Sequence, residues 1–278
     1  MPIASSAPDW PSLFSATEHA LQDCRTAQFQ SRALSPAEIA AYIDHTLLKL
    51  DATSIQITNL CEEAKRYGFG AVCVRLDFVA QAVQELKDNP SIGIACVIGF
   101  HEGTQPTASK ISEAAAAIEA GATELDIVLN RTQLQSGLYD EAYSELQQLR
   151  ALSTTVVLKL IAETSRLSPS GIMKAAVLAH AARFDYIKTS TGFDGRGASS
   201  EDIILMRACC IYLSTAGGPV IKVKASGGVR GYEDAKNMIA LGAERIGASS
   251  GVKIVQEALR YKKNGEFLGA SEKQGVGS

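Results

Sequence analysis

Histidine is scarce in this chain: His19, His45, His101 and His180 lie far apart, with no HExxH or comparable spacing. A catalytic zinc needs several nitrogen, sulfur or carboxylate ligands converging on one point. A protein-bound catalytic zinc is therefore not expected. The six cysteines include no CxxC and, apart from the adjacent pair Cys209 and Cys210, are scattered. They read as reduced thiols of a cytoplasmic protein, most of them in the core. No apolar run reaches the ~18 residues of a membrane span. The opening "MPIASSAPDWPSLFSATEHALQDCRTAQ" lacks the basic start and apolar centre of a secretory signal, and it is poor in Arg. An excess of positive charge is missing too. The net charge of −3 offers neither nucleic acid nor an anionic membrane a general basic surface.

What is present is an ordinary globular composition, 46% hydrophobic and 21% charged over 278 residues, enough for a large core. Residues 1–38 read as an N-terminal extension, with a helix expected from Ser15 to Arg32. Residues 263–278, which end in "NGEFLGASEKQGVGS", read as a mobile C-terminal tail. "SPAEIAAYI" (35–43), a Ser cap followed by Pro at the first helical position, leads into the barrel domain of 39–262. The chain then alternates. Short β-branched runs recur at 42–46, 70–75, 92–100, 124–130, 154–164, 184–190, 219–228 and 244–250. Between several of them lie segments with apolar residues at i, i+3 and i+4, such as "SIQITNLCEEAKRYG" and "SPSGIMKAAVLAHAA". Eight strand–helix units predict an α/β fold with a parallel sheet closed into a (β/α)8 TIM barrel, carrying an N-terminal helical extension. An open doubly wound sheet is second choice, and no GxGxxG follows the first strand.

Alternate residues of a barrel strand face the interior, and active sites sit at the strands' C-terminal ends. One parity groups Phe184, Tyr186 and Lys188 in the sixth run. The seventh groups Val220, Lys222 and Lys224, the fifth Lys159 and Glu163, and the fourth Glu124, Asp126 and Val128. If these face inward, at least three lysines and a carboxylate converge. A buried salt-bridge layer and a catalytic site fit that pattern equally well. Chemistry favours the site. A lysine beside a second ammonium in a water-poor pocket becomes the free amine that attacks a carbonyl, and Lys188 next to Lys224 meets that condition. Asp126 would move protons during imine formation. Cys73 reads as core packing and His101 as an exposed loop residue.

"KASGGVRGYEDA" (224–235) and "GAERIGASSG" (242–251) each run from a strand end through Gly and Ser into a helix start. Backbone N–H groups of such loops cradle phosphate, commonly in the last two units of a barrel. Arg230 could add a charged contact there.

Taken in order, "YIDHTLLK", "GAVCV", "GATELDIVLN", "LKLIAET", "DYIKTSTGF", "VKASGGVR" and "GAERIGASSG" resemble the deoxyribose-phosphate aldolase family across about residues 41–255. The pair "KTSTGF" and "VKASGGVR" at this separation is the specific part. The resemblance implies a class I aldolase, needing no metal and no cofactor, that reversibly cleaves 2-deoxy-D-ribose 5-phosphate to D-glyceraldehyde 3-phosphate and acetaldehyde, a step in deoxyribonucleotide catabolism and carbohydrate degradation. It further implies a small phosphosugar as partner and a homodimer or other homo-oligomer. By motif, Lys188 resembles the Schiff-base lysine, Lys224 the lysine that perturbs it, and Asp126 the proton relay. Lys159 matches the lysine that lines the pocket. Phosphate contacts fall on Gly192, Gly227, Gly228, Gly247, Ser249 and Ser250. Asp44 and Thr46 match the segment that orients substrate hydroxyls. The sequence departs from the family where many members have Pro: His101 follows the Phe of the third strand, and Arg75 and Leu76 follow "CV".

Overall fold

The computed structural model describes residues 8–23, 34–215 and 219–263. Eight parallel strands close into one barrel in chain order: β1 (Ile43–Thr46), β2 (Ala71–Val74), β3 (Gly93–Ile98), β4 (Glu124–Val128), β5 (Val157–Ile161), β6 (Tyr186–Lys188), β7 (Lys222–Ser226) and β8 (Arg245–Ala248). The ring is shut by pairing of Asp44 with Gly247 across β1 and β8. Around it run α1 (Trp10–Asp23), α2 (Pro36–Ala41), α3 (Ser54–Tyr67), α4 (Val79–Leu86), α5 (Thr107–Glu119), α6 (Arg131–Gln135), α7 (Tyr139–Ala151), α8 (Pro169–Ala181), α9 (Ser200–Thr215), α10 (Tyr232–Ala240) and α11 (Gly251–Lys263). Among the described residues no helix is long and apolar enough to cross a membrane.

Local chemistry sets the helix ends. Ser35 and Glu38 form a reciprocal capping box that starts α2 with Pro36 in its first turn, and Thr53 and Gln56 do the same for α3. Gly68 stops α3 at φ 70°, a left-handed turn that costs glycine little. The five-residue helix α6 escapes the periodicity in sequence because it offers too few turns to show a stripe.

Strand alternation then sorts the side chains into two cores. Outward-facing Val72, Val74, Ile94, Leu125, Leu158, Ile187, Val223 and Ile246 pack under the helices in the large core. Inside the barrel the contents are split. Cys73, Ala95 and Val97, capped by Leu48 and Phe100, fill the β2–β3 side with a small apolar cluster. Charged side chains from the other strands fill the rest.

The extension contributes α1 at Trp10–Asp23, earlier than the expected Ser15–Arg32. Residues 24–32 of that expectation, and residues 264–278 of the expected tail, lie outside the described residues. The helix docks on the barrel. Trp10 Nε1 donates to Asp140 Oδ1 at 2.7 Å, and its ring meets Tyr143 edge-on at 5.1 Å. Phe14 packs edge-on against Tyr139 at 4.9 Å, with the Lys174 ammonium 5.3 Å above it.

Candidate active site

The interior charges lie in register. Lys188 stands opposite Lys224 across β6 and β7, and Asp126 opposite Lys159 across β4 and β5. Asp126 is the hub. Its Oδ2 accepts from Lys188 Nζ at 2.7 Å and from Lys224 Nζ at 2.7 Å, while its Oδ1 accepts from Lys159 Nζ at 2.8 Å. Lys159 also donates to Glu124, and Lys224 to Asp44. Arg245 closes the far side, donating from Nε to Asp44 Oδ1 at 2.7 Å and from Nη2 to both Glu124 oxygens at 2.7 and 2.8 Å. All of these groups are buried except the half-buried Arg245, so each interior charge depends on its partners for stability.

The lysines differ in protonation. Burial pushes Lys188 below its ordinary value, the neighbouring Lys224 pushes it further, and Asp126 only partly opposes them. Burial is the largest single influence on Lys224 and Lys159 and pushes both down, but it is outweighed at Lys224 by Asp126 and Asp44 together, and at Lys159 by Asp126, Glu124 and Asp44 together. Both are held above the ordinary lysine value. Asp126, though buried, is held well below the usual carboxylate range by Lys159, Lys188 and Lys224. One lysine is therefore biased towards the free amine among groups that stay charged. That is what nucleophilic attack on a carbonyl requires.

The loops after β6 and β7 meet beside this cluster. Gly192 (φ 84°) and Gly227 (φ 81°) approach so closely that a methyl on Gly227 would lie 3.4 Å from the Gly192 Cα. Gly228 continues the left-handed turn at φ 77°. Two side chains fix the seam. Thr189 Oγ1 donates to Ser226 O and accepts from Ser226 N, each at 2.9 Å. Glu163 Oε2 accepts from Thr191 N at 3.0 Å. Gly247 faces the cluster from β8, where an added methyl would lie 3.1 Å from Lys224 Cε. Exposed Ser249 and half-buried Ser250 lead from β8 into α11.

Most side chains grouped by parity do converge, with three corrections. Glu163 lies two residues beyond β5 in a left-handed conformation (φ 55°), so it braces the β6 loop and does not line the barrel with Lys159. Lys222 is exposed at the start of β7, over the Tyr186 ring. Val220 precedes that strand and is exposed. Thr46 donates back to the Asp44 carbonyl at 2.8 Å, and Arg230 is exposed. Cys73 faces the cluster from β2, with burial pushing its thiol up. The family departures meet at the barrel mouth. The Arg75 guanidinium lies 5.1 Å from the Phe100 ring, and His101 stacks on Phe193 at 5.6 Å. Sequence reading missed Arg245, although it shares the parity of Gly247, and left Glu124 out of the site.

This barrel and its polarised lysine cluster define a carbon–carbon lyase of the aldolase class. The chain belongs to the DeoC/LacD family of aldolases, whose family model matches residues 38–257. A deoxyribose-phosphate aldolase of Coccidioides immitis is 49% identical over 219 residues, 79% of this chain and 80% of that one. That of Caldanaerobacter subterraneus is 46% identical over 230 residues, 82% of this chain and 95% of that one. Among solved structures, the tetrameric deoxyribose phosphate aldolase of Aeropyrum pernix superposes with a TM-score of 0.74 at 30% identity, covering 86% of this chain and 96% of that one.

Proposed function

We propose that this aldolase cleaves 2-deoxy-D-ribose 5-phosphate to D-glyceraldehyde 3-phosphate and acetaldehyde, reversibly, with Lys188 as the Schiff-base nucleophile. The observation that carries the reading is the shared carboxylate oxygen: Lys188 and Lys224 both donate to Asp126 Oδ2 at 2.7 Å. Lys188 Nζ attacks C1 of the open-chain aldehyde. Asp126 and Lys224 shuttle the protons that turn the carbinolamine into a protonated imine and release water. The imine draws electrons as the C3 hydroxyl loses its proton and the C2–C3 bond breaks. Glyceraldehyde 3-phosphate leaves, and an enamine of acetaldehyde stays on Lys188. Protonation at C2 and hydrolysis then release acetaldehyde and restore the amine.

Gly192, Gly227, Gly228, Gly247, Ser249 and Ser250 hold the phosphate through backbone N–H and hydroxyl groups near the start of α11. This fixes the sugar's register over Lys188. Asp44 and Lys159 act within the ion network, with Thr46 bracing the end of β1. The enzyme works as a cytoplasmic homo-oligomer in deoxyribonucleotide catabolism. Coupled detection of glyceraldehyde 3-phosphate tests the substrate. Turnover of deoxyribose 5-phosphate is expected; cleavage of a ketose phosphate with no action on deoxyribose 5-phosphate would refute the assignment.

A further inference from the structure

We propose that Arg245 is a positioning residue of this site: by closing the charge count of the buried cluster, it makes Lys188 the one amine left over. The inference rests on the reading of Lys188 as nucleophile. Four cationic side chains (Lys159, Lys188, Lys224, Arg245) meet three anionic ones (Asp44, Glu124, Asp126) inside the barrel. Lys159, Lys224 and Arg245 each bridge two carboxylates, and together they match all three. Lys188 has one partner, Asp126, already shared with two other lysines. An unmatched charge in such an interior is costly, and the cluster sheds it at its least supported member.

The other titratable groups facing these charges leave the count unchanged. Cys73 on β2 and Tyr186 on β6 are both pushed up by burial and stay neutral. From β3 only Ala95 and Val97 enter the small apolar cluster. Lys222 sits in solvent at the opposite end of its strand. Arg245 itself stays charged, because Asp44 and Glu124 outweigh its burial. Without it, three cations would face three carboxylates, and a protonated Lys188 would complete the balance.

The test is the pH dependence of reductive trapping with acetaldehyde and cyanoborohydride, since acetaldehyde carries no phosphate to titrate. Arg245→Met should move the acid limb of trapping up by about one pH unit, the order that one charge produces across a partly screened buried site. Adduct yield at neutral pH should fall roughly tenfold and recover in alkali. Arg245→Lys should restore the limb. Glu124→Gln should move it the opposite way, and Glu124→Gln/Arg245→Met should return it towards its original position. If Arg245→Met fails to fold, the Glu124→Gln direction and the Arg245→Lys rescue still decide. An unmoved limb with uniform loss at every pH, or a Glu124→Gln limb that moves up, would overturn the proposal. Absence of any Lys188 adduct in the unaltered enzyme would refute the nucleophile reading instead.

Discussion

Replacing Lys224 with Met removes the ammonium that shares a carboxylate oxygen with Lys188. Each lysine lies 2.7 Å from Asp126 Oδ2, so the two nitrogens are no farther apart than about 5.4 Å. At an effective dielectric of about 20, two unit charges at that separation repel by about 3 kcal/mol. Lys224→Met should therefore reduce the free-amine fraction of Lys188 roughly a hundredfold near neutrality. The sign follows from the chemistry. Losing a neighbouring cation makes protonated Lys188 easier to form, so the deficit is largest at low pH and shrinks as pH rises. The assay is kcat/KM for deoxyribose 5-phosphate cleavage, expressed as the ratio of variant to unaltered enzyme, which cancels titration of the substrate phosphate. Any direct role of Lys224 in proton transfer adds a factor independent of pH. A ratio that stays flat from about pH 6 to about pH 10 would refute electrostatic tuning by Lys224.

Three further outcomes follow from other parts of the molecule. Gly197→Ala would place a methyl 2.1 Å from the Gly227 carbonyl oxygen and force the β6 and β7 loops apart. The Michaelis constant for deoxyribose 5-phosphate should rise about tenfold to a hundredfold, the scale of one or two charge-assisted hydrogen bonds, with little effect on unphosphorylated deoxyribose; equal losses on both would refute the phosphate assignment. Asp44 is buried, yet Lys224, Arg245 and Lys159 lower its carboxyl to about 2 from the ordinary 3.8. Its folded value is the depressed one, so its stabilising contribution is complete above about pH 4 and is lost as pH falls towards 2; the urea midpoint should drop across that window and do so less steeply in Asp44→Asn. Trp10→Ala should cost about 3 kcal/mol through lost packing of α1, read as a lower urea midpoint with kcat unchanged; an unchanged midpoint would show that α1 adds nothing to stability.

The barrel is legible in sequence because each strand has two faces that carry different information. The outer face, as in Leu125, Ile127, Ile187 and Val223, follows the ordinary rule of apolar burial under helices. The inner face shows as lysines and acids in otherwise apolar runs, which makes Lys159, Lys188, Lys224 and Asp126 conspicuous at period two. Arg245 escapes notice because its strand is short, and Gly247 with the Ser and Gly that follow draws attention to a phosphate loop. Glu163 misleads for a different reason. Parity holds only while the backbone is extended, and the chain turns left-handed at Glu163, two residues past β5. The link between Arg75, Phe100, His101 and Phe193 depends on three loops meeting in space, which no local pattern encodes.

Borohydride reduction in the presence of deoxyribose 5-phosphate, followed by peptide mass mapping, puts the nucleophile to the test directly. A single reduced adduct is predicted on the peptide that carries Lys188, and Lys188→Leu should abolish both adduct and turnover. An adduct on Lys224 or Lys159, or turnover with no adduct at all, would contradict the assignment.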